Sequence, residues 1–278
     1  MREIAYKETL SIIEKLYKLT EQKYGETNDS RFLALYDLSR KMRACMNAVM
    51  LLPHTEYEVL CVPINLLYRC MITDVMTALL ISVVDDNTFE KVMHMMDIDY
   101  TKSLQKALDT DIAVRKSVYP EDAEDFEKMA LDYQVQHFDD IKDCLKSTKG
   151  EKWEIQSKEK LEINGVVFNG TIDSLFKVLL TYEHVRDIVS VYQYYKIFSQ
   201  SEHFSLKNRV FNYKHDFHER YYNKTRGLIV LGIEYILKEY GSGTIMLTEY
   251  DKFRVIQDRE IMNDFDKQLK LLFGDKKD

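Results

Sequence analysis

Tyr195, Ser199 and His203 stand four residues apart in the segment SVYQYYKIFSQSEHF, residues 190–204. On a helix these three proton-exchanging side chains share one face, within about 80° of arc. An imidazole titrates near neutral pH and can act as base or acid, a hydroxyl or phenol can partner it, and a guanidinium such as Arg69 can hold an anion. Val189, Tyr192 and Phe198 lie near or beside the same face, which predicts that it points inward. A second reading uses the same residues differently: inside a helical bundle they satisfy one another and fix its register. Ser199 is a poor nucleophile in either reading, because no elbow motif or third triad member accompanies it.

A second constellation follows at Arg209, His215 and His218. Lys207, Lys214, Arg220, Lys224 and Arg226 make the stretch locally basic, and Phe211, Tyr213, Tyr221 and Tyr222 interleave it with aromatic rings. Such interleaving suits phosphate contact and base stacking; a solvated helix rim has the same composition. His215, His218 and Glu219, and separately Glu90 and His94, have spacings that place metal ligands on one helical face. Bundle di-metal sites use Glu-x-x-His twice with further inward carboxylates, and no such pair is present, so no metal is expected. There is no P-loop, dinucleotide-binding glycine motif or HExxH, and no cofactor is expected.

The face Tyr195, Ser199, His203, taken with the Arg-bearing apolar segment LLYRCMITDVMTALL, resembles a bacterial all-helical family of largely unknown function allied with the HEPN superfamily and with abortive-infection proteins. That family commonly carries Tyr-x-x-x-Ser-x-x-x-His on one helix and Arg-x-x-x-Glu on another. Here the acid is Asp74, five residues after Arg69 rather than four, and a five-residue step turns about 140° round a helix. HEPN ribonucleases use an Arg-x4–6-His motif that engages RNA phosphate and 2′-hydroxyl without a metal. Arg209 and His215 have a permitted spacing, with Val210 where a polar residue is usual. The resemblance implies RNA as a partner, Arg209 and His215 as the catalytic pair of a metal-independent ribonuclease, and a homodimer.

The elements that must position these residues read as helices. The nine glycines and three prolines among 278 residues suit long elements with few tight turns. A first amphipathic helix is predicted over 3–24, with Gly25 as its stop. A second begins after Asn28-Asp29-Ser30 and runs to Pro53. From Leu60 to Val84 the chain is apolar enough to raise a membrane span, but Arg69 and Asp74 near its middle predict instead the enclosed helix of a soluble bundle, with both charges partnered. Arg69 is expected to pack, buried, against the helix carrying His203. Residues 87–147 predict two or three helices, broken near Asp97–Asp99 and at Pro120. The turn signal Asn164-Gly165, between alternating residues from Trp153 to Phe168, predicts a β-hairpin. Helices resume at Thr171, with an apolar one from about Thr225 to Tyr240 and an amphipathic one from Glu249 to Phe273.

The predicted fold is therefore mainly α: a helical bundle with a small β-hairpin insertion near 153–169. A single domain over 1–278 is expected, with N-terminal helices in 1–54, central and outer helices in 55–147, the insertion in 148–170 and C-terminal helices beyond. A net charge of -7 disfavours a general nucleic-acid coat but leaves room for a local basic patch. Cys45, Cys61, Cys70 and Cys144 form no CxxC framework, which predicts reduced, packed thiols. The N-terminus lacks a signal-peptide core, and a cytoplasmic protein is expected. The two functional classes left open are a HEPN-like RNA-binding protein or ribonuclease, and a non-enzymatic scaffold whose Arg69/Asp74/Tyr195/Ser199/His203 cluster is structural.

Overall fold

The computed structural model describes residues 2–52, 61–122, 124–126, 128–129, 145–147, 153–155, 160–199 and 215–240. The protein is mainly α-helical. The helices are α1 (Arg2–Thr27), α2 (Ser30–Leu51), α3 (Cys61–Val83), α4 (Asp86–Val118), α5 (Ile172–Leu179), α6 (Arg186–Val189), α7 (Tyr192–Ser199) and α8 (His215–Glu239). Two antiparallel strand pairs lie between α4 and α5: β1 (Leu145–Ser147) with β2 (Trp153–Ile155), and β3 (Leu161–Ile163) with β4 (Val166–Phe168).

Helix α1 runs through Gly25 and stops two residues after it. The stop is made by Asn28, which takes the left-handed conformation (φ 53) and donates its amide to the Tyr24 carbonyl at 2.8 Å. Asp29 then caps α2 by accepting the Arg31 amide at 2.8 Å. The predicted break at Asp97–Asp99 does not occur. Phe89, Val92, Met95 and Ile98 recur at three-residue steps as one buried stripe, and Thr101 continues it. That stripe carries α4 unbroken to Val118, with Tyr119 as its C-cap just before Pro120.

The Asn164-Gly165 turn forms as expected. Both residues have positive φ (49 and 78), the geometry that matches the twist of a two-residue hairpin. Ile163 and Phe168 are buried below it, while Val167 faces out.

Helix α3 is the element around which the others pack. It contacts α2, α5, α7 and α8, while α1 closes a ring of four by touching both α2 and α8. Helices α2 and α3 run antiparallel, whereas α3 and α8 run parallel, since Asn65 meets Tyr222 and Val75 meets Gly232. A Cβ at Gly232 would lie 2.8 Å from Val75 Cγ2, so a glycine is what lets α8 approach α3 this closely. The residues Val62–Val83 are long and apolar enough to cross a membrane. Here Met71, Ile72, Val75, Met76, Leu79 and Leu80 are all fully covered by neighbouring elements of the chain.

One buried charge organises the end of α3. The Arg31 guanidinium, on α2, donates from Nη1 to the carbonyls of Ile81 and Val84 at 2.9 Å each, and from Nη2 to Asp86 at 2.9 Å. It also covers the Phe89 ring at 4.9 Å. The last carbonyls of a helix have no partner within the helix, and a cation is favoured there by the helix dipole.

Candidate functional site

Arg69 and Tyr195 meet at the edge of the bundle. Arg69 follows the buried Tyr68 on α3, so its side chain leaves the core at the rim, and it is half-buried rather than enclosed as predicted. Its Nη2 donates to the Tyr195 hydroxyl at 3.1 Å, and its guanidinium carbon lies 4.9 Å from the centre of the Tyr195 ring. Tyr195 in turn stacks on Tyr192 (5.7 Å, 10°), and Tyr192 stacks on Phe176 of α5 (4.2 Å, 18°). The guanidinium thus caps a ladder of three rings running across α5 and α7.

The far side of the ladder is fixed by Asp173. It accepts from the Tyr192 hydroxyl and, at 2.9 Å, from Lys196. Those two hydrogen bonds, the tyrosine's first, hold the Asp173 carboxyl below its usual range. Burial, then the neighbouring carboxylate, pushes the Tyr192 phenol up. Thr171 caps α5 beneath this ladder by accepting the Ser174 amide at 3.3 Å.

Ser199 is on the predicted face, one turn beyond Tyr195, but its hydroxyl turns back onto its own helix. It donates to the Tyr195 carbonyl at 2.7 Å, the common bond of a serine within a helix. Val191, Tyr192, Tyr194 and Phe198 are buried, whereas Tyr195 and Ser199 are half-buried, so the Tyr195–Ser199 face sits at the boundary of the core and not inside it. On its N-terminal side the helical run is broken: a 3-10 turn (Glu183–Val185) and α6 precede α7 as separate pieces.

Asp74 does not join this site. Five residues after Arg69, it points across to α2, where Lys41 reaches its Oδ1 at 2.8 Å. Its side chain is 2% exposed, and Oδ2 is buried without a hydrogen-bond partner among the described residues. Burial outweighs the lysine and lifts the Asp74 carboxyl to about 6. Lys41 itself titrates above its ordinary range, because the Asp74 hydrogen bond and charge outweigh the burial that opposes them.

His203 and Arg209 lie outside the described residues. His215 opens α8, and its side chain and that of His218 lie outside them too. The basic stretch divides in two. Arg220 is exposed and Lys224 half-exposed, as a phosphate-contacting edge requires. Tyr221, Tyr222 and Arg226 are buried, contrary to a base-stacking role. Tyr222 stacks on Tyr68 (5.0 Å, 11°) and donates to Asn65 Oδ1 at 2.7 Å, and Arg226 covers the Tyr6 ring at 4.1 Å. These rings belong to the packing of α1, α3 and α8. Ile229, Ile233, Ile236 and Leu237 of α8 are likewise covered within the chain, and the amphipathic helix expected over 249–273 lies outside the described residues. Among the described residues, no three His, Cys, Asp or Glu side chains gather as a metal site.

What reading the sequence missed is the pairing of Lys41 and Cys45 on α2 with Asp74 and Cys70 on α3. The signal was present: each helix carries its two residues four apart, and consecutive helices tend to pack antiparallel.

No family model, curated protein or solved structure matches the chain.

Proposed function

We propose that this protein is a HEPN-like helical module that binds RNA along the edge where α3, α7 and the start of α8 converge. The observation that carries the reading is the Arg69–Tyr195 pair. A guanidinium laid over a tyrosine and hydrogen-bonded to its hydroxyl is pre-oriented at the rim, and a pre-oriented planar cation is well suited to a phosphate oxygen. Arg220 and Lys224 lie on the α8 face of the same end, beyond the contact of Tyr221 with Tyr194 at 5.6 Å. The Arg69-bearing apolar helix and the Tyr195, Ser199, His203 series are also the residues that carry the family resemblance.

Any cleavage of the bound RNA is assigned to Arg209 and His215. In metal-independent cleavage a histidine activates the 2′-hydroxyl and an arginine offsets charge developing on phosphate. Ser199 has no part in it, since its hydroxyl is committed to the Tyr195 carbonyl. A role in defence follows from the resemblance alone. The test is incubation of wild type, His215→Ala and Ser199→Ala with mixed RNAs in EDTA. The expected result is cleavage by wild type and by Ser199→Ala but not by His215→Ala; cleavage that survives His215→Ala, or that Ser199→Ala abolishes, overturns the assignment.

The second reading, a non-enzymatic scaffold, is favoured by the burial of Tyr221, Tyr222 and Arg226, which removes part of the stretch from nucleic-acid contact. It expects neither binding nor cleavage of RNA in that assay.

A further inference from the structure

We propose that Cys45 and Cys70 form a peroxide-oxidisable thiol pair that closes as a disulfide across the seam between α2 and α3. The register of the two helices brings them together. Lys41 on α2 holds Asp74 on α3 at 2.8 Å, and Arg31, ten residues earlier on α2, reaches Val84, ten residues later on α3. Moving four residues the other way along each helix, from Lys41 and from Asp74, leads to Cys45 and Cys70, which therefore face each other. The two thiols lie within hydrogen-bonding reach of one another, and neither is in a disulfide.

The pair is asymmetric in the way a reactive and a resolving thiol must be. Cys70 is exposed, whereas Cys45 is half-buried. The hydrogen bond from Cys45 lowers the Cys70 thiol to about 6, with Lys41 and Arg69 adding positive charge, against the opposing effects of burial and of Asp74. The same hydrogen bond and burial push Cys45 up, so it keeps its proton. An accessible thiolate beside a protonated thiol is the arrangement from which oxidation proceeds to a disulfide.

The oxidant is a hydroperoxide, of which hydrogen peroxide is the simplest. The Cys70 thiolate attacks one peroxide oxygen, the O–O bond breaks, and hydroxide leaves and is protonated to water. Cys70 is then a sulfenic acid. Cys45 gives up its proton and attacks the Cys70 sulfur; the S–S bond forms, the S–O bond breaks, and the second oxygen leaves as water. Two thiols and one peroxide thus give one disulfide and two waters, with the sulfurs oxidised and the peroxide reduced. A dithiol reductant reverses the bridge by exchange.

The experiment treats the reduced full-length chain with hydrogen peroxide at pH 7, blocks remaining thiols with iodoacetamide and maps the peptides by mass spectrometry. The expected product is a Cys45–Cys70 cross-linked peptide that disappears on reduction. In Cys45→Ser the expected product is a dimedone adduct at Cys70. Lys41→Met should slow iodoacetamide labelling of Cys70 at pH 7 by about two-fold, with the rates converging at high pH, where Cys70 is ionised in both proteins. Both cysteines remaining alkylatable after peroxide, bridges formed instead to Cys61 or Cys144, or no dimedone adduct in Cys45→Ser would overturn the proposal.

Discussion

Arg69 and Asp74 are five residues apart on α3, yet they face opposite neighbours and are held in opposite ways. Arg69 reaches α7 at the rim, half-buried, where the face of the Tyr195 ring attracts its charge and the ring stacks on Tyr192. Asp74 reaches α2 from a buried position, with a single lysine on one oxygen and nothing on the other among the described residues. The rim charge keeps part of its hydration and lies against the Tyr195 ring and hydroxyl. The seam charge is desolvated, so its proton is retained up to about pH 6. One helix therefore carries a part-exposed charge on its α7 side and a desolvated charge on its α2 side, the latter beside the Cys70 thiol.

The seam should be the more fragile of the two. Arg31→Ala strips two buried carbonyls and Asp86 of their donor, and it should cost about 3 to 5 kcal/mol, read as a lower urea midpoint. A loss below about 1 kcal/mol would mean that α3 does not depend on α2 for its C-terminal cap.

Next in size is the pH dependence of Asp74. Its carboxyl is ordinary, near 3.8, in the unfolded chain and is raised to about 6 in the fold. The folded state therefore binds the extra proton between those values, and stability falls as pH rises through that window, by about 3 kcal/mol in all. Above about pH 7 the penalty is complete and levels off. Between pH 4.5 and 7.5 the wild type should lose about 2 kcal/mol relative to Asp74→Asn, measured as the difference between their urea curves. Parallel curves for the two proteins would place Asp74 in water rather than in the seam.

These differences explain what could be read from the chain before its fold was known. The hairpin at Asn164-Gly165, the cap at Asp29 and the centrality of the Leu60–Val84 segment follow from local chemistry: a positive-φ turn, a side-chain acceptor and an apolar run. The contact of α3 with the Tyr195 helix also follows, because both segments carry polar groups on apolar faces. What the pattern could not supply is depth. The same periodicity that grouped Tyr195 and Ser199 does not say whether their face is at the centre or the edge, and tertiary packing placed it at the edge. Nor does an interleaving of Lys, Arg and Tyr say which rings turn inward; Tyr221 and Tyr222 do so because α8 lies against α3 over Asn65 and Tyr68. The Lys41–Asp74 and Cys45–Cys70 pairs required the register of two helices, which neither helix specifies alone.

The rim pair should have the smallest energetic effect. Had Arg69 been buried, Arg69→Ala would cost about 3 to 5 kcal/mol by stranding its partner. At the half-exposed rim it should cost about 1 kcal/mol, and Tyr195→Phe less. A double-mutant cycle between the two should return a coupling of about 0.5 to 1 kcal/mol. A coupling above about 2 kcal/mol would give the rim the character assigned here to the seam.

Because Arg69→Ala should leave the protein folded, it isolates binding from stability. The most direct measurement is fluorescence anisotropy of a labelled single-stranded RNA titrated with wild type and with Arg69→Ala, repeated from low to physiological salt. Wild-type affinity should fall as salt rises, and the slope of log affinity against log salt should drop by about 0.7 in Arg69→Ala, the loss of one phosphate contact. Absence of salt-dependent binding by wild type, or identical slopes for the two proteins, would contradict RNA binding through Arg69.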